Sequence, residues 1–350
     1  MKIIGIGVIA FFLVVIQMLI YKRYWAKNLY VAIRFKQDAI YEGAEGELVE
    51  VIENRKYLPL PMLKVKFQTS RNLRFDAENG SKTTDQYYRN DIFQVGSGEK
   101  ITRTLKFVGD KRGYYRINNI DLVASDLFFL NEYSKSQTMN QYMYVYPRVF
   151  RQEEFRLSLQ KLNGEIIVKS HMLEDPFEYR GIREYQPFDD IRSVNWKATA
   201  RTGNLKVNQK NYTAMQTIRI FLNLDDDGIW KKDNQVEKSI QMMMGVAAFF
   251  LNQGIRVSCY ANGRDILSDN PVEVQGLSGM AQLEVLGKAL ARLDATKMPH
   301  RFISLYRERI LAETDGFFTF FISPNSYEDF KGLLEECNAL GMDYHWYHVE

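Results

Sequence analysis

The chain has 350 residues, of which 46% are hydrophobic and 25% are charged, and its formal net charge is +3. These values are ordinary for a globular protein and argue against long disordered regions. The near balance of charge, with no Lys/Arg run flanked by stacking aromatics, argues against a nucleic-acid-binding protein. Cys259 and Cys337 stand alone, which indicates neither a disulfide framework nor a metal knuckle and suits a reducing compartment.

The first element is an uncharged, almost wholly apolar run over residues 3–20. At ~1.5 Å per residue it spans ~27 Å as a helix, about the thickness of a bilayer core, and predicts a transmembrane anchor over residues 1–28. Three residues typical of an interfacial aromatic belt follow: Tyr21, Tyr24 and Trp25. The basic residues Lys22, Arg23 and Lys27 favour a single-pass protein with a cytoplasmic body. The alternative is a cleaved signal peptide, but no small-x-small cleavage site follows.

Residues 29–150 alternate with period two in short runs separated by turn residues, and predict an antiparallel β-sandwich domain. The predicted strands are Tyr30 to Phe35, Glu47 to Ile52, Leu63 to Gln68, Ile101 to Phe107, Tyr114 to Ala124 and Gln141 to Tyr146. This domain could be a spacer or partner-binding module near the membrane, or it could simply pack on its neighbour. Residues 150–174 indicate a connection with one helix.

The stretch 175–210 is dense in both charge signs and in aromatic residues. Its middle predicts a helix capped by Asp189 at its start and by Gly203 in a left-handed conformation at its end, followed by a strand from Leu205. The arginines of this stretch have two interpretations. They could form an internal network with Asp175, Glu178, Asp189 and Asp190, or a surface that docks a protein partner.

The rest of the chain, within a predicted domain at 151–350, alternates strands with helices, which predicts a mainly parallel sheet. The predicted strands are Thr217 to Leu224, Ile255 to Tyr260, Phe317 to Ile322 and Tyr344 to Val349. The predicted helices are Val236 to Asn252, Ser278 to Leu293, Phe302 to Glu313 and one from Ser326 to about Gly341. The first of these helices, Val236 to Asn252, is apolar nearly all round and should therefore lie centrally.

Chemistry is most plausible after the first strand of this sheet, where Asp225, Asp226 and Asp227 follow one another. Ligands of parallel sheets usually sit beyond the carboxyl ends of the strands, and Mg²⁺ prefers oxygen ligands. The same residues with Gly228 also make a good solvated turn. The four histidines match no metal or nucleophile signature, and the chain lacks the common hydrolase and phosphate-loop motifs.

A family resemblance becomes specific in the charged stretch. Its signature residues are Arg183, Tyr185, Pro187, Asp189, Asp190, Arg192, Asn195, Trp196 and Arg201, within residues 175–207. With the upstream pieces Arg112 to Tyr115, Ser125 to Phe128 and Val145 to Arg148, they resemble membrane-anchored members of family fifty-eight of the domains of unknown function. The resemblance implies a von Willebrand factor type A-like fold for the carboxy-terminal domain.

Two departures from the family pattern are visible. Phe188 and Asn195 stand where members commonly have Gly and Asp. Metal-binding type A domains use Asp-x-Ser-x-Ser, whereas this chain has Asp225, Asp227 and Ile229 at those positions, and Ile229 cannot ligate a cation. We therefore expect no cofactor, and a divalent cation such as Mg²⁺ at Asp225 and Asp227 is doubtful.

The resemblance further implies a non-enzymatic adaptor that works with a MoxR-type AAA+ ATPase and membrane protein partners in the assembly or maturation of proteins or complexes. Two alternatives stay open at this point. One is a metal-dependent phosphoryl-transfer or hydrolytic enzyme using Asp225 and Asp227. The other is a structural cell-envelope protein.

Overall fold

A computed structural model describes residues 2–75, 80–83, 86–150, 152–172, 174–186, 191–212, 217–225, 233–294, 301–312, 317–324 and 327–349. The chain divides into two compact units, which are Met1–Arg148 with Leu290–Arg292, and Val149–Ala289 with Leu293–Glu350. The architecture is mixed α/β, with an apolar amino-terminal helix followed by antiparallel and mixed sheets. Pro187, Asp189, Asp190, Asp226, Asp227 and Ile229 lie outside the described residues.

The described residues of the first unit up to Arg148 form one helix and ten strands. Its elements are α1 (Lys2–Tyr24), β1 (Leu29–Phe35), β2 (Ala39–Tyr41), β3 (Glu45–Asn54), β4 (Leu60–Ser70), β5 (Leu73–Phe75), β6 (Gly80–Thr83), β7 (Gln86–Val95), β8 (Lys100–Gly109), β9 (Gly113–Ser125) and β10 (Glu132–Tyr146). They form a four-stranded sheet in the order β1-β3-β8-β5 and a six-stranded sheet in the order β2-β10-β9-β4-β7-β6. Neighbouring strands are antiparallel except β2 and β10. All six predicted strands exist, and each is longer than predicted.

The two sheets share one hydrophobic core. In β3 and β7 every second residue is buried, as expected for strands with one face on a core and one on solvent. Leu48 of β3, Val65 of β4 and Ile117 of β9 all belong to the same cluster of buried side chains. Tyr21 and Trp25, from the end of α1 and just beyond it, are buried in that cluster too, so the end of the apolar helix is packed against the β-sheet unit.

The predicted membrane span coincides with α1. Residues Ile4–Tyr24 are long and apolar enough to cross a membrane. Most of the helix is exposed, whereas Tyr21 near its end and Trp25 just beyond it are buried. A helix that exposes many large apolar side chains requires an apolar environment, which supports the anchor as the interpretation of this segment.

The second unit contains the remaining elements. They are α2 (Glu153–Met172), β11 (Glu174–Glu184), a 3₁₀ turn (Ile191–Ser193), α3 (Trp196–Thr202), β12 (Lys206–Tyr212), β13 (Thr217–Leu222), α4 (Asp233–Asn252), β14 (Val257–Asp265), β15 (Pro271–Leu277), a 3₁₀ turn (Met280–Gln282), α5 (Leu283–Arg292), β16 (Leu293–Asp294), α6 (Phe302–Ala312), β17 (Phe317–Ser323), α7 (Glu328–Ala339) and β18 (Tyr344–His348). The connection predicted at 150–174 does contain a helix, α2.

The large sheet of this unit has the order β15-β14-β13-β17-β18, and β16 also pairs with β14. The pairs β13/β14, β13/β17 and β17/β18 are parallel, whereas β15 and β16 run antiparallel to β14. The chain therefore leaves the central strand β13 toward β14 first and later reaches β17 on its other side. Such a switch in direction creates a crevice at the carboxyl ends of the two strands.

Helices cover both faces of this sheet. On one face, the ring centroid of Phe250 in α4 lies 5.3 Å from that of Phe320 in β17. On the other face, the ring centroid of Phe321 in β17 lies 5.8 Å from that of Phe330 in α7. Successive strand residues point to opposite faces, so β17 is mostly apolar because both of its faces are buried. The helix α4 is central as predicted, and its three consecutive methionines, Met242 to Met244, are buried in the core.

Candidate functional site

The signature segment folds as a two-stranded antiparallel sheet, β11 with β12, that carries the short helix α3 between its strands. The prediction of a helix capped by Asp189 was wrong, because α3 begins at Trp196 and its cap is Asn195. The Asn195 side-chain oxygen accepts a hydrogen bond from the Ala198 amide at 3.0 Å. Asparagine is as good a cap as aspartate, so the helix can begin at a residue for which we predicted no capping role. Gly203 ends the helix with φ 75°, as predicted.

Asn195 also joins α3 to the sheet. Its backbone amide donates to the Lys206 carbonyl at 2.8 Å, and its side-chain amide donates to Oδ1 of Asn208 at 2.7 Å. Val194 forms a bridge with Val207, and both side chains are buried. The Thr199 hydroxyl accepts from the Lys206 amide at 3.0 Å. These contacts fix a helix of seven residues that has no buried residues of its own.

The outer surface of the segment is apolar and basic. Trp196 is 65% exposed and Ile191 is 67% exposed, and Ile182 and Leu205 are exposed as well. Arg192 and Arg201 are exposed, and Tyr185 is half-buried. We call this set the signature surface: Ile182, Arg183, Ile191, Arg192, Trp196, Arg201 and Leu205. Large exposed apolar side chains beside arginines are typical of a binding interface.

The ion pairs predicted within the segment are tested only in part. Arg183 donates from Nη1 to the Glu184 carbonyl at 3.0 Å. Lys206 pairs with Glu184 at 3.0 Å between Nζ and Oε1, a contact that we did not predict. The described contacts thus hold the segment mainly through backbone groups and neutral side chains, so the internal charge network stays a prediction.

The carboxyl end of β13 carries Asp225, whose carboxylate is engaged with its neighbours. Oδ1 accepts from Nδ2 of Asn262 at 2.7 Å, and the Phe302 amide lies 3.2 Å from Oδ1 and 3.0 Å from Oδ2. Phe302 is the first residue of α6, so Asp225 accepts from the amino-terminal end of that helix, where a negative charge is favourable. Asn223 accepts from the Asp225 amide at 2.9 Å.

Asn262 is the residue of this site that sequence reasoning missed. It is completely buried, and its Oδ1 accepts from the Leu224 amide at 2.8 Å while its Nδ2 donates to Asp225. The sequence carried no local signal for it, because β14 also contains Ser258, Arg264 and Asp265, and the partners that a buried amide needs come from distant parts of the chain. Within the part of the chain that the structure describes, no group of three or more His, Cys, Asp or Glu side chains is arranged to hold a metal ion. Asp225 makes structural contacts with Asn262 and Phe302 at this site, and a metal ion here would need ligands in addition to Asp225.

A buried charge cluster in the first unit was also missed. Arg103 Nη2 lies 2.7 Å from Glu50 Oε2 and 2.6 Å from Asp91 Oδ1, and Arg89 Nε lies 2.6 Å from Asp91 Oδ2. Glu50 and Arg103 belong to the four-stranded sheet, and Arg89 and Asp91 belong to β7 of the six-stranded sheet, so the cluster links the two sheets. Burial and the charge of Asp91 raise the pKa of Glu50 to about 7, against the opposing effect of Arg103.

A cavity of about 520 Å³ opens in the six-stranded sheet. The β4–β9 ladder ends at the pair Phe67 and Ile120, while β4 stays paired with β7 as far as Ser70. Strands β4 and β9 separate beyond that pair and leave a polar cleft between them. Its lining consists of Gln68, Thr69, Ser70, Gln86, Tyr114, Tyr115, Arg116, Asn118 and Asn119.

His345 is partly buried on β18, and the two cysteines lie in the core. The His345 ring centroid lies 4.4 Å from that of Tyr347, and burial lowers the pKa of His345. Trp346 and His348 share the opposite face of β18, with centroids 5.6 Å apart. Cys259 and Cys337 are both buried free thiols, and burial raises the pKa of each.

Comparison with known proteins bears on the segment that contains the signature surface. Residues 181–271 match the model of a family described as "Protein of unknown function DUF58". This match supports the family that the signature residues predict, and it runs from the end of β11 to the start of β15. No curated protein matches the chain.

Three solved structures similar to parts of the chain come from prokaryotes. A CARDB domain from Pyrococcus furiosus is 18% identical, with 33% of this chain and 89% of that one covered and a TM-score of 0.21. A non-cellulosomal cohesin from Archaeoglobus fulgidus is 14% identical, with 37% and 96% covered and a TM-score of 0.24. The sporulation control protein Spo0M from Bacillus subtilis is 9% identical, with 45% and 58% covered and a TM-score of 0.20.

Proposed function

We propose that this chain is a non-enzymatic, membrane-anchored binding protein that docks a protein partner through the signature surface. The observation that supports this most directly is the exposure of Trp196, at 65%, on a helix fixed by Asn195. Burying a large aromatic ring contributes much of the energy of many protein interfaces. A ring held on a fixed backbone also loses little conformational entropy on binding.

We infer from the family resemblance that the partner is a MoxR-type AAA+ ATPase, and that the pair acts in the assembly or maturation of proteins or complexes. The arginines of the signature surface, Arg183, Arg192 and Arg201, suit a partner with an acidic surface. A basic rim would speed the association and set its orientation, while the apolar centre would supply affinity.

The finer fold assignment belongs to the same proposal. We infer that the first unit is a β-sandwich, which its shared core supports, since Leu48 and Val65 come from different sheets. We infer a von Willebrand factor type A-like arrangement for the second unit. Its parallel strands β14, β13, β17 and β18, with the antiparallel strand β15 at one edge, support that inference.

The proposed location is the cell membrane, with a single pass through α1 and the body in the cytoplasm. The basic residues Lys22 and Arg23 in the last turn of α1 support this orientation. A reporter fused to the carboxyl terminus distinguishes it from the structural-envelope alternative, which places the body outside the cell. Activity of a reporter that works only outside the cytoplasm would favour that alternative.

The enzyme alternative is the weaker one because the Asp225 carboxylate already accepts hydrogen bonds from neighbouring residues. Three hydrogen-bond contacts, to Asn262 and to the Phe302 amide, already occupy its carboxylate oxygens. A cation at this position would have to displace these contacts or use Asp227, which lies outside the described residues. A divalent cation therefore stays doubtful.

The experiment that tests the proposal is a pull-down of the cognate MoxR-type ATPase by the full chain in detergent. We expect the double variant Arg183→Glu with Arg192→Glu to retain the ATPase at least ~10-fold less well, because like charges would face each other across the interface. Lys331→Glu is the matched control, since it reverses an exposed charge on α7 of the same unit. Unchanged retention by a folded double variant would contradict the proposed surface.

A further inference from the structure

The turn between β9 and β10 exposes four consecutive apolar residues, Leu127 to Leu130. Their exposed fractions are 48%, 53%, 60% and 60% in chain order. Such a run is unfavourable in water, and a contiguous apolar patch on a folded surface marks a contact with something apolar. Leu127 to Leu130 are not part of the signature surface, so the proposed partner contact does not explain their exposure.

The turn is held in this conformation by a buried carboxylate. Asp126 is completely buried, and its Oδ1 accepts from the Leu130 amide at 2.8 Å while its Oδ2 accepts from Nδ2 of Asn131 at 3.0 Å. Burial by itself raises the pKa of Asp126, but hydrogen bonds, led by that from Asn131, outweigh it and lower this pKa. Phe129 adopts φ 57°, a left-handed conformation that is strained for a bulky residue. The apolar side chains are thus presented outward by an ordered turn.

Two contacts place this turn beside the end of α1. The Tyr133 hydroxyl, near the start of β10, donates to the Met18 carbonyl at 3.2 Å. The buried Gln17 side chain lies near Asp126 and contributes to lowering the pKa of that carboxyl, although no hydrogen bond joins the two. Gln17 and Met18 lie inside the apolar run of α1, at ~1.5 Å per residue only a few ångströms before its end.

The end of α1 is also packed against the β-sheets of the first unit. Tyr21 donates from its hydroxyl to the Pro59 carbonyl at 2.9 Å, and its ring is buried in the core. Trp25 is buried there as well. The helix therefore cannot move relative to the turn without breaking core contacts, so the depth of α1 in a membrane fixes the depth of the turn.

We propose that Leu127 to Leu130 insert into the same bilayer leaflet that holds the carboxyl end of α1. This inference rests on the proposed membrane anchoring and adds a second membrane contact to it. Leu19 and Ile20, close to Met18 in α1, are exposed as well and would face the same leaflet. Lys22 and Arg23 follow at the depth of the headgroups, where anionic lipids attract basic residues. Two attachment points instead of one would set the tilt of the first unit against the membrane.

Depth-dependent fluorescence quenching tests this on the full chain. A single NBD label is attached at Phe129→Cys, or separately at Phe128→Cys, and the protein is reconstituted in phosphatidylcholine–phosphatidylglycerol vesicles. Cys259 and Cys337 are buried and leave the new thiol as the exposed one among the described cysteines. Brominated lipids with bromine at shallow or deep acyl positions are the quenchers.

The two control labels bracket the expected result. Phe12→Cys lies in the middle of α1, and Asp110→Cys lies at the far end of β9 from the turn. We expect strong shallow quenching at positions 128 and 129, deep quenching at position 12 and at least ~5-fold weaker quenching at position 110, because contact quenching needs the label to reach the acyl chains.

Three results would overturn the inference. If position 12 is quenched while positions 128 and 129 are not, the anchor stands and the turn does not insert. If the emission at 128 and 129 is blue-shifted without quenching, a protein covers the turn instead of lipid. If position 12 itself is not quenched, membrane anchoring fails, and the proposed function and this inference fail together.

Discussion

At the scale of single residues, Asn195 shows how one side chain fixes the signature surface. It caps α3, bonds to Asn208 and bonds through its backbone to Lys206. The asparagine amide supplies a donor to Asn208 that an ionised aspartate at this position would lack. Asn195 therefore both caps α3 and connects it to β12.

We predict that Asn195→Ala loosens α3. Loss of a helix cap costs ~1 kcal/mol, which corresponds to about five-fold faster amide exchange over residues 196–203. Hydrogen-exchange mass spectrometry on the full chain would measure it, with Asn204→Ala as the exposed, matched control. Unchanged exchange in α3 of the Asn195 variant would show that the capping contact does not hold the helix.

The buried carboxylate Glu50 makes a prediction about pH. Its ordinary pKa of 4.5 is raised to about 7 in the folded chain, first by burial and then by the charge of Asp91. The folded protein therefore holds a proton that the unfolded protein releases between these two values. Stability should fall as the pH rises from about 4.5 to about 7, by at most ~1.4 kcal/mol per pH unit, and the contribution should level off above that window.

Thermal unfolding of the first unit would test this prediction. The measurement uses the detergent-solubilised chain between about pH 5 and about pH 8, on either side of that pKa. Glu50→Gln should flatten this part of the pH dependence, because the amide does not titrate. Glu45→Gln changes an exposed position of the same strand and should leave the slope as it is. The same slope in wild type and in Glu50→Gln would contradict the role assigned to Glu50.

At the scale of elements, the carboxyl end of β13 is organised around the start of α6. Asp225 accepts from the first amide of that helix and from Asn262 of β14. It thus connects three elements at the crevice where the sheet changes direction. In other proteins such a crevice often binds a ligand. Here the carboxylate of Asp225 accepts a hydrogen bond from the first residue of α6.

We predict that Asp225→Ala destabilises α6 by about 1–2 kcal/mol, through loss of a charged acceptor at a helix start. Hydrogen exchange over residues 302–312 should rise, equally with and without Mg²⁺. Asp329→Ala removes an exposed acid from the first turn of α7 and should leave α6 unchanged. A loss of protection that appears only when Mg²⁺ is present would instead favour a metal site.

Several elements of the fold could be predicted because their hydrophobic period was clear. The strands of the core, such as β13 and β17, and the central helix α4 are long apolar or alternating runs. Strand β7 was missed although its burial alternates fully, since the polar residues Arg89 and Asp91 occupy two of its buried positions and break the apolar alternation in the sequence. Asp91 faces the core there because Arg89 and Arg103 neutralise it, a compensation that no local pattern reveals.

The candidate site was predicted less well, for a related reason. The signature residues identified the right segment, and Gly203 marked the end of α3 correctly. The helix start was wrong because Asp189 and Asn195 are both good caps, and only the pairing of Val194 with Val207 and the bond to Asn208 select the second. Asn262 could be found only through the neighbouring strands, since its partners lie 37 and 38 residues away in sequence.

At the scale of the whole molecule, the chain combines an apolar helix, a β-sheet unit and an α/β unit. The β-sheet unit is packed on the end of α1 through Tyr21 and Trp25. The α/β unit carries the signature surface and the segment that matches the DUF58 model. The proposed function assigns membrane anchoring to the first unit and partner binding to the second.

The central claim is that the signature surface binds the ATPase, and Trp196 is the residue that tests it most directly. The measurement is the affinity of the full chain, reconstituted in nanodiscs, for the purified cognate MoxR-type ATPase, with Leu340→Ala as the control for an exposed apolar side chain of the same unit. We predict that Trp196→Ala weakens binding by at least ~30-fold, corresponding to the ~2 kcal/mol typical of a buried aromatic anchor, while Leu340→Ala binds as wild type does. Equal affinities of the wild type and a folded Trp196→Ala variant would contradict the account.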